Sequence, residues 1–188
     1  MTNLADEKNT ARKQAFAARK TAHAKGADAA ACAQLHSLLD TYDPGKIIAA
    51  YMPIRTEISP LPVMVALSSE ARTICVPVIQ GAGMPLRFSV WTPDAPMSEG
   101  PFGASVPATD RFVAPDILIT PLVAFDRHGY RLGYGGGFYD RSFEELKKLK
   151  PTLGIGFAYA AQELPKIPVE PTDQRLDAIV TEKSVMRF

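Results

Sequence analysis

Short apolar runs alternate with helix-length stretches along this chain, and that alternation limits its fold more than any other feature. Lys46–Tyr51 (KIIAAY), Thr73–Val78, Leu86–Val90, Asp116–Thr120 (DILIT), Thr152–Phe157 and Ala178–Thr181 read as strands. Leu122–Phe125 reads either as a further strand or as a continuation of Asp116–Thr120 broken at Pro121. Helices are predicted from Leu4 to about Lys25, from Ala27 to about Asp40, over Pro60–Ala71 with proline in the first turn, and over Phe138–Lys148. Asn3 is a suitable N-cap for the first, with Asp6 and Glu7 in its opening turn. Trp91–Pro115 and Asp126–Gly137 read as connections. Apolar strand cores separated by helices imply an α/β fold, a central mostly parallel sheet with helices on both faces. A chain of 188 residues fits one domain, taken as 1–188.

Charge and cysteine usage exclude several classes of function. Twenty-one Lys and Arg against 20 Asp and Glu give a net charge of +1, which argues against non-specific binding to nucleic acid. Cys32 and Cys75 lie in no CxxC or Cys/His spacing and read as reduced thiols. No apolar run approaches the roughly 18 residues that would span a bilayer, and the first residues lack a signal-peptide core. The expectation is a cytoplasmic protein without a membrane partner. The charge is uneven, however. Residues 1–25 carry a net +4 and residues 111–150 a net +2, which leaves −5 elsewhere. Two basic segments on a faintly acidic background suit a small anionic ligand, although a solvated helix face has the same composition. At 100° per residue, Lys8, Arg12 and Arg19 share one stripe of the first helix.

The densest chemical signal is RLGYGGGFYDR, Arg131–Arg141. Gly133, Gly135, Gly136 and Gly137 surround Tyr134 between a strand-like run and a helix. Such a loop lets bare backbone N–H groups and a helix N-terminus approach a phosphate. It is neither a Walker A loop nor a GxGxxG fingerprint, and a tight strand-to-helix turn without a ligand would also use glycines. Tyr134, Phe138 and Tyr139 suit either core packing or a surface for a flat ring. Asp140 suits either a helix-capping carboxylate or a magnesium ligand beside a polyphosphate. His23, His36 and His128 are scattered, and neither GxSxG nor HExxH occurs, so no protein nucleophile stands out.

Pro121–Arg141 (PLVAFDRHGYRLGYGGGFYDR) closely resembles the 5-formyltetrahydrofolate cyclo-ligases, also called 5,10-methenyltetrahydrofolate synthetases. The basic first helix, YMPIRTEISP (Tyr51–Pro60), the Trp91-Thr-Pro stretch and RLDAIVTE (Arg175–Glu182) follow in the same order. The resemblance implies ATP- and Mg²⁺-dependent closure of 5-formyltetrahydrofolate to 5,10-methenyltetrahydrofolate, with ADP and phosphate released through a phosphorylated formyl group. It implies that Lys8, Arg12 and Arg19 contact ATP and that the first helix packs near the glycine loop. Arg131, Leu132, Gly133, Tyr134, Gly135, Gly136, Gly137, Phe138 and Tyr139 would form the ATP loop, with Arg131 and Tyr139 catalytic. Met52 and Glu57 would face the folate, together with the Tyr134–Phe138 stretch, and Asp140 and Asp177 would hold Mg²⁺. The implied partners are a reduced folate and ATP, and the implied state is a monomer or weak dimer.

Three features depart from the family pattern. Phe138 stands where many members have tyrosine, Gly136 where some have lysine, and Pro101–Pro107 lacks the usual acidic form. Two other functions fit the same fold: a folate- or nucleotide-binding relative without turnover, and a sugar-phosphate isomerase that needs no ATP.

Overall fold

The computed structural model describes residues 3–188. In chain order their helices and strands are α1 (Leu4–Ala24), α2 (Asp28–Leu39), β1 (Ile48–Ala49), α3 (Leu61–Ser69), β2 (Ile74–Val78), β3 (Arg87–Trp91), β4 (Met97–Glu99), β5 (Ser105–Pro107), β6 (Ile117–Thr120), β7 (Ala124–Phe125), β8 (Arg131–Leu132), α4 (Phe138–Leu149), β9 (Leu153–Phe157), β10 (Ala178–Val180) and β11 (Val185–Arg187). Among the described residues, seven strands form the main sheet in the order β11-β10-β9-β6-β1-β2-β3. The five inner strands run parallel, and β3 and β11 close the two edges antiparallel. No helix of the described residues is long and apolar enough to cross a membrane.

Side chains alternate across this sheet with the strand period of two. Ile48, Ile117, Ile119 and Val180 join the core formed with α2 and α3. Ala49, Leu118 and Ile179 join Phe143 and Leu146 of α4 in a second core. Both faces are therefore covered, as expected for a parallel sheet. From β1 the chain proceeds towards one edge through β2 and β3, and from β6 towards the other. The neighbouring strands β1 and β6 thus flank the point where the winding reverses, and loops leaving their C-terminal ends border a natural crevice.

The sequence does not disclose the smaller elements. The expected Asp126–Gly137 loop contains β8, paired with β7 in a hairpin. Its turn is organised by buried Asp126, whose Oδ1 accepts the N–H groups of His128 and Tyr130 and whose Oδ2 accepts that of Ile167. Gly129 takes a φ of +83° in that turn, a conformation glycine adopts without steric cost. Pro121 does break the apolar run, sending β6 into the main sheet and β7 into the hairpin. The expected connection at Trp91–Pro115 carries the β4–β5 ribbon. Nor is β11 legible, because three residues flanked by polar side chains give no period to read.

This hairpin anchors α1. Ala11, Ala15 and Phe16 pack with Val123, Ala124 and Leu132, which brings the basic helix beside the glycine loop, as the family resemblance implies.

Close packing also fixes Gly156 in β9. A Cβ there would lie 2.8 Å from both Leu122 Cδ2 and Leu176 Cδ1, and 3.2 Å from Ile179 Cγ1. Gly156→Ala is expected to lower the unfolding free energy by about 1–3 kcal/mol through overpacking. Urea denaturation would show this as a lower midpoint with an unchanged m-value.

Candidate active site

Beyond the C-terminal end of β6 lies a cavity of about 580 Å³. Lys8 and Arg12 of α1, Pro121, all of residues 131–141, Glu144, Glu170, Thr172 and Asp173 line it. A groove of similar size, about 550 Å³ between α2 and β11, has Arg187 as its one charged lining residue among those described. Ionisable groups therefore converge on the first cavity.

The glycine loop gives this cavity a backbone wall. Gly135 and Gly137 have φ values of +103° and +65°, and Gly137 is the N-cap of α4 in a left-handed conformation. No side chain caps that helix, so the N–H groups of its first turn remain available to a ligand, at the positive end of the helix dipole. At Gly136 a Cβ would come within 2.7 Å of the Phe138 ring. The Arg141 guanidinium hydrogen-bonds the Gly136 carbonyl from outside the loop.

On the opposite side stands α1, whose buried side chains Lys8, Ala15, Arg19 and Ala22 repeat at helical spacing. Lys8 Nζ donates to Glu170 Oε2 at 2.8 Å and to Asp173 Oδ2 at 2.9 Å. Burial alone would lower the pKa of this ammonium, but the two carboxylates outweigh it and the net shift is upward. Arg12 Nε donates to the Gly133 carbonyl at 2.9 Å, which ties the helix directly to the loop.

Arg131 forms the floor. Its Nη2 donates to Asp140 Oδ1 at 2.7 Å and its Nη1 to the Gln174 carbonyl at 2.7 Å. The same Asp140 oxygen accepts the Gln174 N–H at 3.0 Å. Asp140 Oδ2 and Asp173 Oδ1 have no hydrogen-bond partner among the described residues and belong to the same cavity. Tyr139 also lines the cavity. Burial pushes its phenol well above the usual tyrosine range, so at neutral pH it is a proton-bearing donor.

Tyr134 links this cavity to the loop after β1. Its hydroxyl donates to Glu57 Oε1 at 3.0 Å and accepts from Arg19 Nη2 at 2.9 Å. Glu57 is 5% exposed, and its Oε2 accepts the Ile54 N–H at 2.9 Å. Burial raises the pKa of this carboxyl against the opposing pull of its hydrogen bonds and of Arg19. Met52, in the same loop, packs against the main core. Met52 and Glu57 do not line the cavity themselves; Tyr134 stands between them and it.

Two expected positions lie outside this cavity. Arg19 lies on the predicted stripe but not in the cavity. Eleven residues separate it from Lys8, about 16 Å along the axis, which carries it to Thr56, Glu57 and Tyr134 instead. Asp177 precedes β10, at the edge where the parallel strands begin, opposite the glycine loop. Its Oδ2 accepts the Gly154 N–H at 2.7 Å; the carboxylates that line the cavity with Asp140 are Glu144, Glu170 and Asp173. Sequence reasoning missed Asp173, Glu170 and the Gln174 backbone. They sit in an irregular proline-containing loop, and the one available signal was the acidic pair Glu170 and Asp173 close to the matched RLDAIVTE segment.

Comparison with known proteins agrees with this architecture. A model described as the 5-formyltetrahydrofolate cyclo-ligase family matches residues 5–182. The 5-formyltetrahydrofolate cyclo-ligase of Escherichia coli (strain K12) is 36% identical over 158 residues, covering 79% of this chain and 86% of that protein. The protein of the same name from Haemophilus influenzae is 37% identical over 134 residues, covering 68% and 71%. The NMR structure of Aquifex aeolicus 5,10-methenyltetrahydrofolate synthetase superposes with a TM-score of 0.77 at 28% identity, covering 96% of this chain and 92% of that one.

Proposed function

Because the chain belongs to the 5-formyltetrahydrofolate cyclo-ligase family, we propose that it converts 5-formyltetrahydrofolate to 5,10-methenyltetrahydrofolate with Mg²⁺ and ATP, through a phosphorylated formyl group. The observation that carries this proposal is the convergence of Lys8, Arg12, the uncapped start of α4 and Asp140 on one cavity. A triphosphate placed there meets backbone N–H groups on one side and two cations on the other.

Amide oxygen is a poor leaving group, so the formyl oxygen first attacks the γ-phosphorus. The bond between the γ-phosphorus and the β,γ-bridging oxygen breaks, and ADP departs. N10 then attacks the activated formyl carbon and loses its proton. Phosphate leaves with the former formyl oxygen, giving the methenyl cation. Neither step needs a protein nucleophile. Alignment and charge stabilisation suffice. In this scheme Arg12 and Lys8 hold the phosphates, Arg131 orients Asp140 through their ion pair, and Tyr139 donates a hydrogen bond to developing negative charge. Glu57 accepts the N3–H and 2-amino donors of the pterin, and the Tyr134 ring separates the two substrates.

The cavity also fits a magnesium ion. Lys8, Arg12, Arg131 and Arg141 are balanced there by Asp140, Glu144, Glu170 and Asp173, so the lining side chains supply no net positive charge to a polyphosphate. Asp140 Oδ2 and Asp173 Oδ1 are hard oxygen donors of the kind magnesium takes alongside phosphate oxygens. Bound there, the ion would neutralise charge on the β- and γ-phosphates. Asp173 replaces Asp177 in this assignment.

The direct test mixes the protein with 5-formyltetrahydrofolate and Mg²⁺ and follows near-ultraviolet absorbance. Formation of the methenyl product on adding ATP is expected. No change would leave a binding protein without turnover, and only a separate assay with a sugar phosphate and no ATP would detect the isomerase alternative. Arg12→Ala is expected to raise the KM for ATP by roughly 10- to 100-fold, the range for losing one charge-assisted contact. An unchanged ATP dependence would remove Arg12 from the nucleotide site.

A further inference from the structure

Arg19 is the largest fully buried side chain among the described residues, 1% exposed, and nothing proposed for the nucleotide uses it. A buried guanidinium is costly unless its surroundings compensate it. Here Nε donates to Thr56 Oγ1 at 3.1 Å and Nη2 to the Tyr134 hydroxyl at 2.9 Å, while the Phe16 and Tyr134 rings flank its carbon. Nη1 is buried without a hydrogen-bond partner, 3.9 Å from Glu57 Oε1. That separation is too long for a hydrogen bond yet short enough for strong attraction in a dry site.

We propose that Arg19 is a positioning residue for the folate site, holding the Glu57 carboxylate in place directly and through Tyr134. The inference rests on Glu57 being the pterin-recognising group. Tyr134 now occupies Glu57 Oε1, the oxygen a pterin donor needs. When the phenol yields that oxygen, Nη1 is the spare donor that can close on it, so the buried carboxylate is never left without a cation beside it. Helix α1 thereby carries Lys8 and Arg12 at the nucleotide cavity and, farther along, Arg19 as the counter-ion of Glu57.

The charged and titratable groups around Glu57 are few. Arg19 approaches from α1, Tyr134 from the glycine loop, Tyr139 from α4, and Arg55 and Tyr51 from the segment after β1. Arg19 stands before Arg55 among the charges that keep this carboxyl ionised against burial. Removing it makes Glu57 hold its proton to higher pH.

Steady-state kinetics against pH for Arg19→Met, Arg19→Lys and Glu57→Gln test the proposal. Arg19→Met is expected to raise the folate KM about tenfold and to move the acid limb of kcat/KM for folate upward by about one pH unit, with the ATP KM within about threefold of wild type. Arg19→Lys keeps the charge but cannot reproduce the forked contacts, so it should restore the acid limb while the folate KM stays about threefold high. If the methionine variant fails to fold, the lysine variant decides. A raised ATP KM with a normal folate KM in either variant overturns the proposal, as does a folded Arg19→Met with an unmoved limb. If Glu57→Gln itself leaves folate kinetics unchanged, the pterin assignment fails and this inference falls with it. If Glu57→Gln acts and Arg19 substitution does not, the inference alone fails.

Discussion

Asp140→Asn is expected to lower kcat by roughly 100- to 1,000-fold, the range for removing one electrostatic stabiliser of a transition state. The substitution is chosen for what it preserves. Asparagine Oδ1 can still accept from Arg131 Nη2 and the Gln174 N–H, the two bonds Asp140 Oδ1 now makes. The floor of the cavity therefore stays assembled, whereas alanine would strand a buried guanidinium. What disappears is the negative charge and the second oxygen, the features a magnesium ion needs. Folate affinity, measured by equilibrium binding without nucleotide, is expected to change little, because Glu57 and Met52 lie outside this cavity. Asp173→Asn should act in the same direction, and Asp177→Asn should leave the magnesium dependence as it is. Full turnover in Asp140→Asn, or a magnesium requirement shifted by Asp177→Asn instead, would move the metal elsewhere.

Glu57→Gln is expected to raise the folate KM by roughly 30- to 100-fold, equivalent to ~2–3 kcal/mol for replacing a buried charged acceptor. The amide has one acceptor oxygen where the carboxylate has two, and it presents its own donors to the pterin donors. A pH dependence follows with a definite sign. Burial raises the Glu57 carboxyl above its ordinary range in the free protein. As pH falls through that raised value, the group gains a proton and loses one acceptor site. The kcat/KM for folate should therefore decline on the acid side at a pH above the ordinary glutamate value, and that limb should vanish in Glu57→Gln. Because kcat/KM reports ionisations of free enzyme and free substrate, a limb that persists unchanged in Glu57→Gln would belong to another group.

The two most legible parts of the sequence are the sheet and the glycine-rich wall of the cavity, for different reasons. Strands such as Ile117–Thr120 are buried on both faces, so their apolar runs are unbroken and short, and little else has that form. Gly133–Gly137 were legible because a left-handed N-cap at Gly137 and the close approach at Gly136 leave glycine the natural choice. Glu57 is an ordinary loop acid by sequence, and only the family likeness marks it as a candidate. Arg19 and Asp177 show where helical phase and motif order stop. Phase fixes which face of α1 Arg19 occupies, but whether that face meets phosphate or carboxylate depends on how far along the axis the partner loops reach. For the segment after Glu170, four residues separate a cavity-lining acid, Asp173, from one at the far edge of the sheet, Asp177. No periodicity governs an irregular loop, so only its tertiary bonds to Lys8, Asp140 and Gly154 tell the two apart.

The fate of a single oxygen atom decides whether this cavity works as described. 5-Formyltetrahydrofolate labelled with ¹⁸O in its formyl group is to be turned over with ATP and Mg²⁺, and the released phosphate analysed by mass spectrometry. One ¹⁸O per phosphate is expected, because the formyl oxygen takes the γ-phosphoryl group and leaves with it. Unlabelled phosphate, with methenyl product formed at the same rate, would mean that ATP is cleaved by water and that the glycine loop does not deliver phosphate to the folate.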